Sequence, residues 1–278
     1  MAISRTPSVV TLPATSRPYP SILAFLAGAF PGISRDTWVR RISEGKVLDD
    51  NGDPIAADTP YLPSKRIFYF REVETEPAIP FPEAVLFQND EILVACKPHF
   101  LPVIPGGRFV NECLLNRLRA STGIADLAPL HRIDRETAGI VLFSVNRKTR
   151  GLYHDLFLHG KITKTYHAVA EVDPAPREDR WIVRNRIVRG EPRFRLRTAA
   201  GAVNSESRIL LLEMNGNRGR FRLTPVTGKT HQLRLHMSAL GFGILNDRLY
   251  PELLAQQDDD FARPLQLLAR QMAFQDPV

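Results

Sequence analysis

The stretch HRIDRETAGIVLFSV, residues 131–145, places a cluster of charged or titratable side chains directly before an apolar run. The run GIVLFSV is typical of a strand that is buried on both faces. A surface turn would explain the charges, but not why Asp134 stands between Arg132 and Arg135 where a core strand begins. Cations favour the ionised form of a neighbouring carboxyl group, so Asp134 is expected to be a nucleophile, a base or half of a structural ion pair. On this stretch alone, the structural ion pair is favoured.

The composition is that of an ordinary globular protein. Of the 278 residues, 24% are charged and 44% are hydrophobic, so neither a disordered nor a membrane class is indicated. Long apolar runs are missing and the N-terminus lacks the apolar segment of a secretory signal, which favours a cytoplasmic location. Cys96 and Cys113 are too few for a disulfide framework, and the cysteines and histidines form no metal-binding motif, so no metal is expected.

Positive charge is concentrated in one part of the chain. The whole chain carries a net charge of +7, whereas residues 177–234 hold 14 Lys and Arg against 5 Asp and Glu. Such a surplus is expected of a protein that binds a polyanion, because contacts to phosphates release counterions. A solvated basic face on strands explains the same count equally well.

A proline-rich segment separates two parts of the chain. Residues 1–20 are rich in Ser, Thr and Pro and predict an extended arm. Ser34 is placed to cap a helix that ends at Gly45, DDNGD predicts a hairpin turn, and RIFYFREV predicts a strand. A domain boundary is expected in ETEPAIPFPEA, so that residues 1–80 and 81–278 form separate domains.

Three helices are predicted in the second part. The first lies in ECLLNRLRAS, with Asn111 as its N-cap. The second lies in NRKTRGLYHDLFLHG, with Leu152, Leu156 and Phe157 facing inward. The third lies in THQLRLHMSALG, with Thr230 as its N-cap.

Short strands fill most of the remaining second part, from TKTYHAVAEV to GRFRLTPVTG. Strand alternation places Arg220 and Arg222 on one solvent face, and places Lys164 and Tyr166 on the same side of their strand. Tyr166 alone is more often a core residue than a catalytic one. The order of elements predicts an α+β fold with a largely antiparallel mixed sheet flanked by helices.

A second group of basic residues lies in TGKTHQLRLH, residues 227–236. An arginine directed into a pocket is costly unless it meets a carboxylate, and Asp134 is the obvious partner for Arg234. A basic surface helix is the alternative. A protein-kinase catalytic loop, which HRID superficially matches, is excluded because Gly139 stands where the metal-binding Asn would be and no glycine-rich loop precedes it.

Taken together, these motifs resemble those of the RluA-type pseudouridine synthases. HRIDRETAGI resembles the HRLDxxTSG signature of that family, KTYHAV its second motif and TGKTHQLRLHMSALG its third. EILVACKPHFLPV and PLQLLARQMAF resemble the segment that opens its catalytic domain and its last motif. Five ordered matches from about residue 86 to 278 are far more specific than one. SRDTWVRRISEGKVLDDNG resembles a degenerate S4-like module, which implies a small N-terminal α/β RNA-binding unit before the synthase fold.

The resemblance implies an enzyme that breaks the bond between uracil and ribose in RNA, turns the base and rejoins it through carbon 5, with no cofactor. Asp134 matches the essential aspartate of the family, Arg234 the arginine that pairs with it, and Tyr166 the pocket tyrosine. That tyrosine stacks on the base and is a candidate for proton transfer. A glycal route and direct nucleophilic addition both stay open.

Five further residues fall on substrate-binding positions of the same motifs. Arg132 matches a residue that enters the base stack when the uridine is flipped out, and Leu267 matches an apolar residue of the base pocket. Lys164 and Lys229 fall on basic positions that hold phosphate or support the catalytic aspartate, and His131 opens the signature. Ribosomal or transfer RNA is the implied partner, and a monomer without a membrane or an obligate protein partner is expected.

The chain departs from the family pattern at three positions. Ala138 stands where the signature usually has Ser, Gly243 where a Pro is common, and Leu268 where the last motif commonly has His. The departures at Ala138 and Leu268 motivate a second hypothesis, a noncatalytic RNA-binding protein that retains the synthase fold. The intact catalytic aspartate, tyrosine and arginine argue for the enzyme.

Overall fold

Residues 1–172, 176–255 and 257–278 are described by the computed structural model. The chain divides into two units, the first formed by Met1–Pro77 with Gly106–Asn111, and the second by Ala78–Pro105 with Glu112–Val278. The structure therefore groups residues 106–111 with the first unit, whereas the boundary expected near residue 80 assigned them to the second domain.

Two helices and two small sheets make up the first unit. β1 pairs with β5, and a second sheet has the order β2-β4-β3. The elements are β1 (Ala2–Ile3), β2 (Ser8–Thr11), α1 (Ile22–Ala29), α2 (Arg35–Ser43), β3 (Val47–Leu48), β4 (Arg66–Tyr69) and β5 (Glu72–Val73). The expected arm at residues 1–20 thus contains two paired strands, because SVVT alternates its faces and completes the sheet with β4.

Local signals in the first unit are confirmed. Ser34 caps α2 by accepting a hydrogen bond from the Thr37 N–H at 3.2 Å, and Gly45 ends the helix with a φ of +69°. The DDNGD turn is closed by the Asp49 N–H, which donates to the Asp53 carbonyl at 2.9 Å. These short-range patterns were sufficient to predict the local backbone.

The second unit is built on a ten-stranded mixed sheet. Its order is β12-β11-β13-β14-β10-β15-β9-β7-β6, with β8 paired to β9. Only the pairing of β15 with β9 is parallel among the described strands of this sheet. The α+β prediction with a largely antiparallel mixed sheet is confirmed. The strands are β6 (Ala84–Gln88), β7 (Ile92–Lys97), β8 (Ala128–Pro129), β9 (Ala138–Ser144), β10 (Thr163–Glu171), β11 (Arg180–Arg189), β12 (Leu196–Ala199), β13 (Ser205–Asn215), β14 (Arg218–Pro225) and β15 (Leu267–Ala273).

Three helices accompany this sheet: α3 (Leu114–Thr122), α4 (Arg150–Leu158) and α5 (Gln232–Ala239). α5 packs on the middle of the sheet, where Leu233 and Met237 share a buried cluster with Ala168, Phe221 and Leu223. Across the described residues, no helix is long and apolar enough to cross a membrane.

The face that α4 buries differs from the prediction at one position. Leu152 is 47% exposed, whereas Tyr153 is fully buried and Leu156 and Phe157 pack into the core. Tyr153, Leu156 and Phe157 form an i, i+3, i+4 stripe, which leaves Leu152 at its edge.

Two predicted helix caps are wrong. α3 begins after Cys113, and Asn111 instead binds the N-terminal strand, its side chain accepting from the Arg5 N–H and donating to the Ile3 carbonyl. α5 begins after His231, which has a φ of +53°, rather than after Thr230. In the first case, tertiary hydrogen bonds outweigh the local capping preference.

Candidate active site

The loop that carries Asp134, residues 131–137, is fixed to β9 at its start by His131. The His131 Nε2 accepts a hydrogen bond from the Leu142 N–H at 3.1 Å, and the ring stacks on Phe157 with centroids 5.0 Å apart. Burial, with a smaller effect of Lys164, lowers the pKa of His131 to about 3, so this imidazole is neutral near pH 7. These contacts anchor the loop, and the substrate-binding role expected of His131 stays a prediction.

The end of the loop lies unusually close to the neighbouring strand. Gly139 has a φ of +115° and pairs with Ala269 of β15. A Cβ atom at this position would overlap the carbonyl group of Ala269. Glycine is therefore required where the loop enters the sheet.

Lys97, at the end of β7, holds the same loop from inside the protein. Its buried Nζ donates to the carbonyl oxygens of Pro98, Leu101 and Arg135 at 2.7–2.9 Å. Burial lowers the pKa of Lys97 to about 7, against the opposing effect of nearby carboxylates. The sequence analysis missed Lys97, because a lysine at the end of an apolar strand such as ILVAC ordinarily extends to solvent.

Arg234 on α5 lies next to Asp134, but its main partner is a different carboxylate. The guanidinium, whose side chain is 2% exposed, donates from Nη2 and Nε to Asp247 at 2.6 and 2.7 Å. Its Nη1 reaches the Oδ2 atom of Asp134 at 3.4 Å. The expected contact between Arg234 and Asp134 is therefore present, but Asp247, which the sequence analysis did not assign, takes the bidentate position and Asp134 takes the remaining nitrogen.

Asp247 is itself held in place by the backbone. Its Oδ1 accepts hydrogen bonds from the Leu249 and Tyr250 N–H groups at 2.8 and 3.1 Å, and the ring of Tyr250 lies 5.5 Å from the Arg234 guanidinium. Burial acts to lower the pKa of Arg234, but the hydrogen bonds and charge of Asp247 raise it above its usual value. A permanently charged donor therefore faces Asp134.

His231 is a second neighbour of Asp134 that the sequence analysis did not assign. Its Nε2 lies 3.9 Å from the Asp134 Oδ1, and its Nδ1 is within hydrogen-bond distance of the Tyr250 hydroxyl at 3.0 Å. Burial lowers the pKa of His231 and outweighs the opposing charge of Asp134. The imidazole is thus neutral near pH 7 and can present an Nε2–H to the carboxylate.

Tyr166 and Leu267 lie in or against the buried cluster beneath α5. Burial and then the charge of Asp134 raise the pKa of Tyr166 to about 12, so its hydroxyl is protonated near pH 7. A β-bulge between Thr165 and Tyr166 interrupts the pairing with β15. Thr165 pairs with Gln271 and Tyr166 with Ala269, so the extra residue of the bulge is Arg270 on β15 and the alternation of Lys164 and Tyr166 along β10 is not interrupted.

The remaining predicted binding residues are placed around this centre. Arg132 and Lys229 are exposed, and the Lys229 backbone N–H donates to the Gln232 side chain just before α5. Lys164 is half-buried, which lowers its pKa, and its Nζ lies beside Gly228. The described contacts do not bring these three side chains against the carboxylate, so their binding roles stay predictions.

Arg135 and Glu136, to which the sequence analysis assigned no role in the site, connect the Asp134 loop to a distant part of the chain. Arg135 makes two hydrogen bonds of 2.8 Å to Asp259 and also pairs with Glu136. Burial would raise the pKa of Glu136, but the charges of Arg135 and Arg234 lower it overall. The loop next to Asp134 is thus tied to a segment more than a hundred residues away.

The geometry gives a carboxylate that is partly open to solvent and firmly positioned. Asp134 is 22% exposed and is approached by a buried guanidinium, a neutral imidazole and a protonated phenol. Such a group can attack an electrophilic carbon or stabilise a developing positive charge. Among the described residues, no group of three or more His, Cys, Asp or Glu side chains forms a metal site.

Comparison with known proteins identifies the family. The family model described as RNA pseudouridylate synthase matches residues 91–239, which include the Asp134 loop and α5. The chain belongs to the RluA-type RNA pseudouridine synthase family. The resemblance stated from the motifs is confirmed.

Individual relatives of this chain agree with that family. The dual-specificity RNA pseudouridine synthase RluA of Pasteurella multocida is 30% identical over 208 residues, 73% of this chain and 91% of that protein. RNA pseudouridine synthase 7 of Arabidopsis thaliana is 27% identical over 83% of this chain, which spans only 60% of the plant protein. The solved structure of human RNA Pseudouridylate Synthase Domain Containing 1 is similar to this chain, with a TM-score of 0.58 and 23% sequence identity. The match covers 70% of this chain and 79% of the human chain, and it shows that the two share a fold.

Proposed function

We propose that this chain isomerises uridine to pseudouridine in ribosomal or transfer RNA. The carrying observation is the carboxylate of Asp134, partly exposed on a loop fixed by His131 and Lys97 and approached by Arg234. In the reaction the C1′–N1 bond breaks, the base turns, and a C1′–C5 bond forms. The proton on C5 leaves and N1 gains one, so atoms balance without a cofactor.

Each side chain has a chemical task in this proposal. Asp134 attacks or stabilises the anomeric carbon or the uracil ring, and Arg234 holds it through the contact of 3.4 Å between Nη1 and Oδ2. Tyr166 stacks on the base and is the candidate for proton transfer, and its raised pKa keeps the hydroxyl protonated near pH 7. Leu267 lines the base pocket and Arg132 occupies the place of the flipped uridine in the RNA stack.

The alternative, a noncatalytic RNA-binding protein, has less support. Membership of a synthase family and the presence of Asp134, Tyr166 and Arg234 in one site both favour the enzyme. The test is to incubate the purified chain with bulk RNA from a strain that lacks it, digest the RNA to nucleosides and quantify pseudouridine. Product above background supports the enzyme, and its absence with RNA binding retained supports the alternative.

The catalytic assignment is tested with a matched pair of variants. Asp134→Asn should abolish product and leave RNA affinity largely intact. Asp155→Asn, an equivalent change on the exposed side of α4, should leave product formation unchanged. Full activity in Asp134→Asn would reject the assignment. Mapping pseudouridines in a strain without the protein against its parent identifies the target uridine.

We further infer that residues 1–80 act as an S4-like RNA-binding module and that the protein is a cytoplasmic monomer. Arg35 and Arg40 are exposed on α2, whereas Arg41 is buried against Trp38. Replacing Arg35 and Arg40 by Ala in the full chain should weaken RNA binding and reduce its salt dependence. Unchanged affinity and salt dependence would reject the module's role, and size-exclusion chromatography with light scattering tests the monomer.

A further inference from the structure

One face of the central sheet carries a row of arginines. On β14, the alternate residues Gly219, Phe221 and Leu223 are buried, the latter two in the cluster beneath α5. Alternation along a strand sends the intervening residues to the opposite face. These intervening residues are exposed: Arg218, Arg220 and Arg222.

The arginine row continues onto the neighbouring strands. Arg222 lies opposite His167 of β10, and His167 lies opposite Leu268 of β15, two residues before the exposed Arg270. Burial and then the charges of Arg220, Arg270 and Arg222 lower the pKa of His167, as expected if these cations surround it. We name the surface formed by Arg218, Arg220, Arg222, His167 and Arg270 the open face.

Positive charge on the open face is only partly neutralised. Arg220 pairs with Glu213 at 2.8 Å. In the part of the chain that the structure describes, Arg218, Arg222 and Arg270 form no ion pair. Several unpaired guanidinium groups on one sheet face repel one another, and a polyanion removes that repulsion.

A pocket lies at one end of the open face. Its volume is about 540 Å³, within the range of roughly 300–1,000 Å³ that suits small ligands. Val169 and Leu245 give it apolar walls, while Arg218, Arg263 and Glu171 supply charge. The pocket therefore combines an apolar surface for a flat base with guanidinium groups for phosphate.

We propose that the open face binds single-stranded RNA outside the uridine pocket, with one unpaired base in the pocket beside Arg218 and Arg263. Tyr166 and Leu267 belong to the cluster beneath α5, so the uridine pocket and the open face lie on opposite faces of the sheet. The inference rests on the proposed function, because it names a second contact of the same RNA. Glu171 accepts a hydrogen bond from an exocyclic amino group, which adenine, cytosine and guanine have and uracil lacks.

The probe is a fluorescently labelled oligoadenylate of about 12 nucleotides, the length of a typical single-strand site, which holds no uridine for the catalytic pocket. Fluorescence anisotropy over a salt series measures its affinity. Arg222→Ala/Arg270→Ala and Arg218→Ala/Arg263→Ala should each weaken binding by about tenfold or more at low salt. Each pair should also reduce the salt slope by about 1.4, since one single-strand phosphate contributes roughly 0.7.

Controls separate a specific surface from net charge. Arg147→Ala/Lys148→Ala also removes two positive charges, but from the exposed turn after β9, and this variant should bind the probe like wild type. Asp134→Asn should also bind it normally. We call Arg222→Ala/Arg270→Ala and Arg218→Ala/Arg263→Ala the open-face variants. Both should retain the wild-type kcat at saturating RNA and show a raised KM.

The two possible failures are distinguishable. If the open-face variants bind oligoadenylate as tightly as the Arg147→Ala/Lys148→Ala control while wild type makes pseudouridine, the inference is overturned and the proposed function stands. If no RNA yields pseudouridine but the open-face variants still lose oligoadenylate binding, the proposed function fails and the RNA-binding face stands. If the control and the open-face variants lose affinity for oligoadenylate equally, net charge alone explains the loss, and the inference is also overturned.

Discussion

Breaking the Arg234–Asp247 pair should destabilise the protein more than removing both partners. Arg234 and Asp247 side chains are 2% and 1% exposed, and two hydrogen bonds of 2.6 and 2.7 Å join them. Leaving one buried charge without its partner costs about 3–5 kcal/mol. Asp134, at 3.4 Å from Arg234, offsets part of that cost when Asp247 is removed. We expect Asp247→Leu to cost about 3 kcal/mol and Arg234→Met about 4 kcal/mol of unfolding free energy.

The double variant Arg234→Met/Asp247→Leu removes both charges of the pair, and its main cost is the backbone N–H groups of Leu249 and Tyr250 that lose an acceptor. We expect it to cost about 2 kcal/mol, less than either single change. Urea unfolding followed by circular dichroism measures all four proteins of this cycle. Pseudouridine formation should stay low in the double variant even where it is folded, because Asp134 has lost its cation. Single variants within about 1 kcal/mol of wild type, or a double variant that costs the sum of both, would refute the reasoning.

Three further predictions concern the Asp134 loop. Gly139→Ala should lower the unfolding free energy by more than about 2 kcal/mol, because its Cβ would overlap the adjacent strand; thermal unfolding close to that of wild type would contradict this. His131 has a folded pKa of about 3, below its unfolded value near 6.5, so its contribution to stability is present above pH 6.5 and is lost as pH falls towards 3. Between pH 7 and 5, wild type should lose about 2 kcal/mol more than the non-titrating His131→Gln, in which the bond from the Leu142 N–H no longer depends on pH; parallel curves would contradict this. Arg135→Ala and Asp259→Ala should each lower kcat, and the double variant should be no slower than the worse single; additive losses would show that the pair does not act as one unit.

Local patterns predicted local structure well and failed where distant residues competed. The buried run GIVLFSV became β9, and Ser34 capped α2, because both depend on neighbours within a few residues. Asn111 has the side chain of a good cap, but its amide is engaged by Ile3 and Arg5, more than a hundred residues away. No capping rule contains that information, since it depends on where the N-terminal strand lies.

The candidate site, like the fold, was predicted only in part from the sequence. Asp134, Tyr166 and Arg234 were assigned through motifs, and the structure brings them together, although their catalytic roles stay predictions. Asp247 lies in the connection between α5 and β15, where an aspartate is ordinarily solvent-exposed, and only burial turns it into the main partner of Arg234. Lys97 is similar, because a lysine at a strand end usually extends to solvent instead of donating to three buried carbonyl groups.

Two of the three departures from the family pattern are best understood as one change. Ala138 and Leu268, which replace the usual Ser and His, are direct register partners in the parallel pairing of β9 with β15. Polar side chains at both positions can hydrogen-bond each other, whereas one polar and one apolar side chain leave the polar group without that partner. Because the two positions are register partners, we expect the two departures to be coupled, so that they give the noncatalytic alternative one independent observation rather than two. Ala138 is the first residue after the Asp134 loop, and Leu268 lies opposite it on β15. Asp134 itself keeps its contacts with Arg234 and His231.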